Sequence, residues 1–411
     1  MLKKIHINDL QIGMYVEKVD RSWIEIPFFK KHIQSPQQVE KLRKYHVDVL
    51  YVDTEKGDWA GSATVSPEFA PAPGKKGESE SSSKQAKEIP SIFDPEEIRV
   101  AKALQRHAVE CVKGVYRDIA EGGSPDLESA EEVVDRMIDH ITHHPDVLFI
   151  LSKLQDFDEY TFMHCVNVST FSLILGKALH YTQSELKKLG VGALFHDVGK
   201  TRVNKEILNK PGKLDPAELK MIQRHPVFSV ELLREIPGMN MESMQVALEH
   251  HERVSGKGYP RGLKGREISE FGKIAAIADV YDAMTTERVY QTKLMPYAAI
   301  ARIYRMAKGN FEPGLVERFI ARIGIYPVGT VVILSSGEIG VVTEIHRDHL
   351  LTPIVRIFVD PAGNPSENLN RIDLLHDKSH RRIKEVIHQD QAGISLNVLV
   401  DVPLKAEPES V

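Results

Sequence analysis

The chain has 411 residues, 42% hydrophobic and 27% charged, an ordinary globular composition with room for two or three domains. A net charge of -5 gives no basic footprint for a nucleic-acid polymer, and no apolar run approaches the roughly 20 residues of a membrane span. Two distant cysteines, Cys111 and Cys165, exclude a disulfide framework and point to a reducing, cytoplasmic setting.

Residues 1–55 read as a small α+β domain. Short strands are expected at 5–7 and 14–16, a helix opens at Ser35-Pro36, and a buried strand spans 47–52. Residues 56–92 are rich in Ser, Gly, Pro, Ala and charge. Such a stretch buries too little apolar surface to order itself and reads as a flexible linker.

From 93 to 325 helix follows helix. Asp94-Pro95 with Glu97 opens the first, and Val100, Leu104, Ala108, Cys111 and Val115 are expected on its core face. Further helices are expected from about 129 and from 146. Thr182 with Glu185 forms a capping box ahead of another, and Asp215-Pro216 with Glu218 starts one that stops before Pro226. The apolar helix 274–284 is interrupted by Asp279 and Asp282. Helices over 296–309 and 314–323 follow. Beyond 326 the period changes to that of strands, at 331–334, 340–345 and 353–359, with a disordered tail over 401–411. The fold class is mainly α: a helical bundle with a small N-terminal α+β domain and a C-terminal β appendage over 326–400.

The middle third carries the chemistry. His164 lies on an apolar helix, His196 and Asp197 are adjacent in FHDVGK, His225 precedes Pro226, His250 and His251 are adjacent, and Asp279 interrupts an apolar helix. Each has an ordinary reading alone. His164 suits a core histidine, His225 a helix terminus, and His250-His251 or Lys200 a solvated surface. Asp279 is harder to place, because a carboxylate on an apolar face is costly unless ion-paired or metal-bound. Together, five histidines and two aspartates on successive helices are how a bundle assembles a metal centre.

These residues follow the H…HD…D pattern of the HD phosphohydrolase superfamily. HHERVSGKGYPRGLKG, from His250 to Gly265, resembles the HD-GYP family of cyclic di-GMP phosphodiesterases, with Gly258-Tyr259-Pro260 as its signature. The likeness covers about residues 159–319 and implies an HD-type bundle. The start, KKIHINDLQIGMYVEKVDRSW, is similar to a domain of unknown function found ahead of HD-GYP domains.

The resemblance implies a bridged pair of divalent transition-metal ions, iron or manganese foremost. One is held by His164, His196, Asp197 and Asp279, the other by Asp197 as the bridge, His225, His250 and His251. Two close cations acidify the attacking water and neutralise charge on the phosphoryl group, and a ligand set rich in imidazole suits Fe, Mn, Zn or Ni better than Mg or Ca. Lys200, catalytic with Asp197, and Arg288 are the implied phosphate contacts. Lys293 is weaker, with Gln291 and Thr292 standing where the family has basic residues. Tyr259 is a candidate contact for substrate or partner, the family's GYP loop being linked to GGDEF-type cyclases. An oligomer fits the same family picture.

Two departures stand out. Ser255 occupies the place of the family's usual Asp, which puts loop rigidity and turnover in question. Tyr160 stands where some members carry a Glu for a third metal, and Glu159 is one residue off the helical register. The expectation is therefore a two-metal site that yields chiefly pGpG, with GMP as a slower product. An HD hydrolase of another nucleotide and a non-hydrolytic cyclic di-GMP receptor are the alternatives. Ser255 keeps the receptor open, and the complete ligand set argues against it.

Overall fold

The computed structural model describes residues 2–19, 32–33, 35–44, 49–54, 56, 93–152, 160–208, 210, 212–286, 294–366 and 370–392. Most of the expected linker, the expected tail, Glu159, Arg288 and Lys293 lie outside the described residues. The chain forms two compact units, one within 1–86 and one within 87–411.

In the first unit, β1 (Leu2–His6), β2 (Val16–Val19) and β3 (Val49–Asp53) form an antiparallel sheet in the order β1-β3-β2. Helix α1 (Pro36–Lys44) contributes Leu42 to a small core with Ile5, Val16, Ile33, Leu50 and Val52. This core is separate from that of the second unit.

The second unit begins with α2 (Pro95–Ala120), capped by the Asp94 side chain, which accepts from the Glu96 N–H. Its buried face corrects the expected register in part. Leu104, Ala108 and Val115 are buried, but Val100 is 42% exposed and Cys111 half-buried, while Ala101, Val109 and Val112 take the inner positions. At about 100° per residue Val100 and Cys111 lie at one edge of the arc that the five expected residues span, and the packed face is centred beyond its other edge, towards Ala101 and Val112.

Helices α3 (Leu127–His143) and α4 (Pro145–Leu151) pack against α2. Next, α5 (Tyr160–Ala178) runs through the centre, with residues 164–176 all buried. Apolar residues lie all round this helix, and such a helix has no face to offer water. Its neighbours include α2, α6 (Gln183–Leu194), α11 (Glu270–Thr285) and α13 (Pro313–Ile323). Between them come α7 (Lys205–Leu208), α8 (Pro216–Ile222), α9 (His225–Arg234), α10 (Met241–Glu249) and α12 (Pro296–Asn310).

The C-terminal strands are β4 (Val331–Leu334), β5 (Ile339–Glu344), β6 (Ile354–Val359), β7 (Arg371–Asp373) and β8 (Ile383–Val386). They form one antiparallel sheet in the order β7-β6-β5-β4-β8, followed by the one-turn α14 (Gln389–Ala392). β7 and β8 gave no sequence signal, one being three residues long and the other, IKEV, having an exposed charged centre. Val331, Val341 and Phe358 join the core of the helices, whereas Val332, Leu334, Val342 and Val355 form a second core on the other face. Among the described residues no helix is long and apolar enough to cross a membrane.

Candidate metal centre

Three of the candidate histidines are placed by one local device. His196 lies just past α6 and its Nδ1 is 2.8 Å from Ala193 O. His250 caps α10 with Nδ1 2.9 Å from Ala247 O. His225 follows α8, with Nδ1 2.7 Å from Ile222 O. The last carbonyls of a helix lack intrahelical donors, so each accepts from the imidazole that folds back three residues. A carbonyl only accepts. The proton of each neutral ring is therefore on Nδ1, and Nε2 presents a lone pair.

Two expectations about these positions are corrected. His225 does not close a helix but opens α9, because Pro226 has no N–H to lose and a φ that suits a first turn. His196 and Asp197 are not on a helix. They stand between the end of α6 and a 3-10 turn, Val198–Arg202, that carries Lys200.

The Nε2 atoms of four imidazoles converge on Asp197. Its Oδ1 is 3.2 Å from His225 Nε2 and 3.8 Å from His250 Nε2. Its Oδ2 is 3.3 Å from His196 Nε2 and 3.8 Å from His164 Nε2. Asp279 also stands between, with Oδ1 3.3 Å from His164 Nε2 and Oδ2 3.6 Å from His251 Nδ1. Two groups result, Asp197–His225–His250–His251 and His164–His196–Asp279. Within each, one ligand atom per residue lies within 4.8 Å of all the others. The structure thus brings all seven sequence candidates into one cluster around Asp197 and Asp279, buried except for His251, which is half-buried.

The arrangement fits cations. His225 Nε2 and His250 Nε2 are 3.3 Å apart, yet each ring's proton is committed to a carbonyl. Two lone pairs face each other with a carboxylate oxygen beside them. His196 Nε2 and Asp197 Oδ1 are buried with no hydrogen bond. Such unpartnered acceptors are costly inside a protein unless a positive charge lies among them.

Electrostatics point the same way. Burial pushes the Asp197 and Asp279 carboxyls up, but the lysine and imidazoles around them outweigh it and hold both well below the ordinary range. Lys200 and His196 act chiefly on Asp197, and His164 and His251 on Asp279. Burial, reinforced by neighbouring imidazoles, drives His250 well below its usual value and His251 down to about 3. Both are neutral at neutral pH, as ligands must be. His164 differs. Burial pulls it down, but Asp279 and Asp282 more than reverse this and raise it to about 9.

Asp282 is the residue that sequence reading passed over. It is fully buried, accepts from His164 Nδ1 at 2.7 Å and Asn167 Nδ2 at 2.9 Å, and accepts from Thr286 Oγ1 at 3.1 Å. The signal was present: it interrupts the same apolar helix as Asp279, one turn later.

Lys200 is half-buried and ion-paired with Asp197 Oδ2. Tyr259 is half-buried, its ring 4.6 Å from that of His251 at 34°. The loop carrying it is held by two buried carboxylates that flank the His pair. Glu252 accepts from the N–H groups of Arg261 at 2.8 Å and Leu263 at 2.9 Å. Glu249 pairs with the Arg261 guanidinium and accepts from the Ser269 N–H at 2.7 Å. Ser255 is exposed, and its N–H donates to Gly309 O at 3.1 Å. Tyr160 opens α5.

Comparison with known proteins agrees along the chain. Residues 137–315 match an HD domain, 2–130 match a domain of unknown function (DUF3391), and 331–393 match a KOW domain associated with HD domains. The chain is 36% identical over 369 residues to cyclic di-GMP phosphodiesterase PA4108 of Pseudomonas aeruginosa, covering 87% of this chain and 85% of that protein. It is 31% identical over 194 residues to a cyclic di-GMP phosphodiesterase of Thermotoga maritima, covering 47% of this chain and 52% of that protein. The solved structure of Bd1817, an HDG"Y"P protein from Bdellovibrio bacteriovorus, aligns over 78% of this chain and 98% of its own, with 15% identity and a TM-score of 0.46. With a relative this similar over most of both chains, and with the HD and GYP residues in place, the chain belongs to the HD-GYP family of HD-domain proteins.

Proposed function

We propose that this protein is a metal-dependent phosphodiesterase that opens cyclic di-GMP to pGpG, with GMP as a slower product. The observation that carries the reading is the pair of lone-pair-lined groups on either side of Asp197. It is supported by 36% identity, over most of the chain, to a protein named for that activity.

We assign His164, His196, Asp197 and Asp279 to one cation, and Asp197, His225, His250 and His251 to the other. Iron or manganese suits this donor set best. Divalent cations bound there supply Lewis-acid activation of water and neutralise charge on the phosphoryl oxygens. The chain's own residues do the rest. Asp197 offers one oxygen to each group, and the carbonyls behind His196, His225 and His250 keep their Nε2 atoms turned inward. Burial of the cluster strengthens each charge interaction within it.

Lys200, at the half-buried edge beside Asp197, holds a positive charge for a phosphate oxygen. Arg288 is assigned the same role from the sequence. Tyr259, its ring tilted against that of His251, offers that ring to the substrate or to a GGDEF-domain partner at the GYP loop. A cytoplasmic location and an oligomeric state belong to the same reading. Exposed Ser255 leaves the seven candidate ligands undisturbed, which favours turnover over a receptor.

The test is turnover of cyclic di-GMP by anaerobically purified protein with ferrous iron or manganese, beside Asp197→Ala and His251→Ala. The parent should form pGpG, and both variants should lose at least about 100-fold, since each strips a ligand. A parent that binds cyclic di-GMP and never cleaves it overturns the hydrolase and leaves the receptor.

A further inference from the structure

We propose that Ser229 is a positioning residue that sets the spacing between the two groups of ligands, an inference that rests on the two-cation reading above. Ser229 is fully buried on α9, one turn after His225. Its hydroxyl accepts from the Gly199 N–H at 2.8 Å and donates to His196 O at 2.9 Å. A hydroxyl has one proton to give and lone pairs to receive, so a single side chain grips both ends of the turn His196-Asp197-Val198-Gly199.

The turn is pressed onto α9 with no space between. A Cβ on Gly199 would sit 2.1 Å from His225 O and 2.4 Å from Ser229 N. The two backbones joined here carry ligands on opposite sides of Asp197: His196 faces Oδ2 and His225 faces Oδ1. Ser229 touches no ligand atom of either group among its hydrogen bonds, and acts through the backbone on which three ligands ride. Replacing the hydroxyl with a hydrogen, as alanine does, removes the partner of both the Gly199 N–H and the His196 carbonyl. The turn is then free to shift against α9, and distances across Asp197 change.

The test is a manganese titration of the metal-free, full-length chain by calorimetry, with a kinetic KM-against-kcat comparison on cyclic di-GMP. The parent should take up two ions. Ser229→Ala should weaken one or both by roughly 10- to 100-fold, the usual effect of losing a partner that orients ligands, and lower kcat with KM little changed. Ser243→Ala is the control. That serine is also buried, donates to Lys188 O at 2.7 Å, and lies outside the ligand groups, so its loss should lower the melting temperature without moving manganese affinity. If Ser229→Ala does not fold, Ser229→Cys keeps a weaker donor and should show a smaller loss in the same ion. Affinity equal to the parent in the Ser229 variants overturns the proposal. A parent that takes up one ion overturns the two-cation reading instead, and the Ser229 proposal then stands or falls on the affinity of that ion.

Discussion

Asp282 does for His164 what helix-end carbonyls do for His196, His225 and His250: it accepts the Nδ1 hydrogen bond and turns Nε2 towards the cluster. A carboxylate does this more strongly than a carbonyl, since it also raises the basicity of the ring. Asn167 and Thr286 fix the other Asp282 oxygen, so the acceptor itself is held. Asp282→Asn keeps the volume but removes the charge behind His164. Metal affinity should fall by roughly 10- to 100-fold, measured by titrating the metal-free variant, with its helical content unchanged. Equal affinity would show that the neutral carboxamide orients the ring as well. Asp197 was legible as a candidate because it directly follows His196, and His164 and Asp279 because polar groups in apolar helices need a reason. Asp282 shared that property and was missed because no ligand role was open to it.

The ends of helices organise the site at the next scale. The last turns of α6, α8 and α10 each deliver one imidazole, and the GYP loop closes over the end of α10. That loop does more than fill space, because its Tyr259 N–H donates to His251 O at 3.3 Å and its ring lies on the His251 ring. Gly258 is needed for the approach: a Cβ there would be 2.4 Å from Arg253 N. Glu252 anchors the loop through two backbone N–H groups, one on each oxygen. Glu252→Gln turns one of these acceptors into a donor facing a donor, which costs about 1–3 kcal/mol for a buried unpaired group. A lower melting temperature and faster amide exchange over 258–263 should follow. Unchanged exchange there would mean that the loop is held by its packing on α10 alone. From sequence the glycines announced a turning loop, but the carboxylates that hold it were indistinguishable from surface glutamates.

At the scale of the whole molecule, the C-terminal sheet is built into the core that supports the helices. Phe358, Val341 and Val331 lie in the same buried cluster as Phe319 of α13 and Phe171 of α5. Ending the chain after Gly324 exposes that face, and each large side chain left bare forfeits about 1.5–3 kcal/mol. The truncated protein should melt at a clearly lower temperature and precipitate readily. Melting equal to the full chain would show that the helices are self-sufficient. The N-terminal unit has a core of its own, while the DUF3391 match runs on to residue 130, through α2. The first long helix of the second unit is therefore shared with that sequence pattern.

Helix positions, the change to strands after 326 and the identity of seven candidate ligands were in the amino-acid order, because periodicity, caps and polar residues in apolar runs are local signals. The register of α2 over residues 100–115, the start of α9 at His225 and the strands β7 and β8 were not, since packing partners decide them. Only the tertiary structure decided which oxygen of Asp197 faces which imidazoles, and which buried groups hold those imidazoles in place. Those are distances between side chains up to 118 residues apart, and no local pattern encodes them.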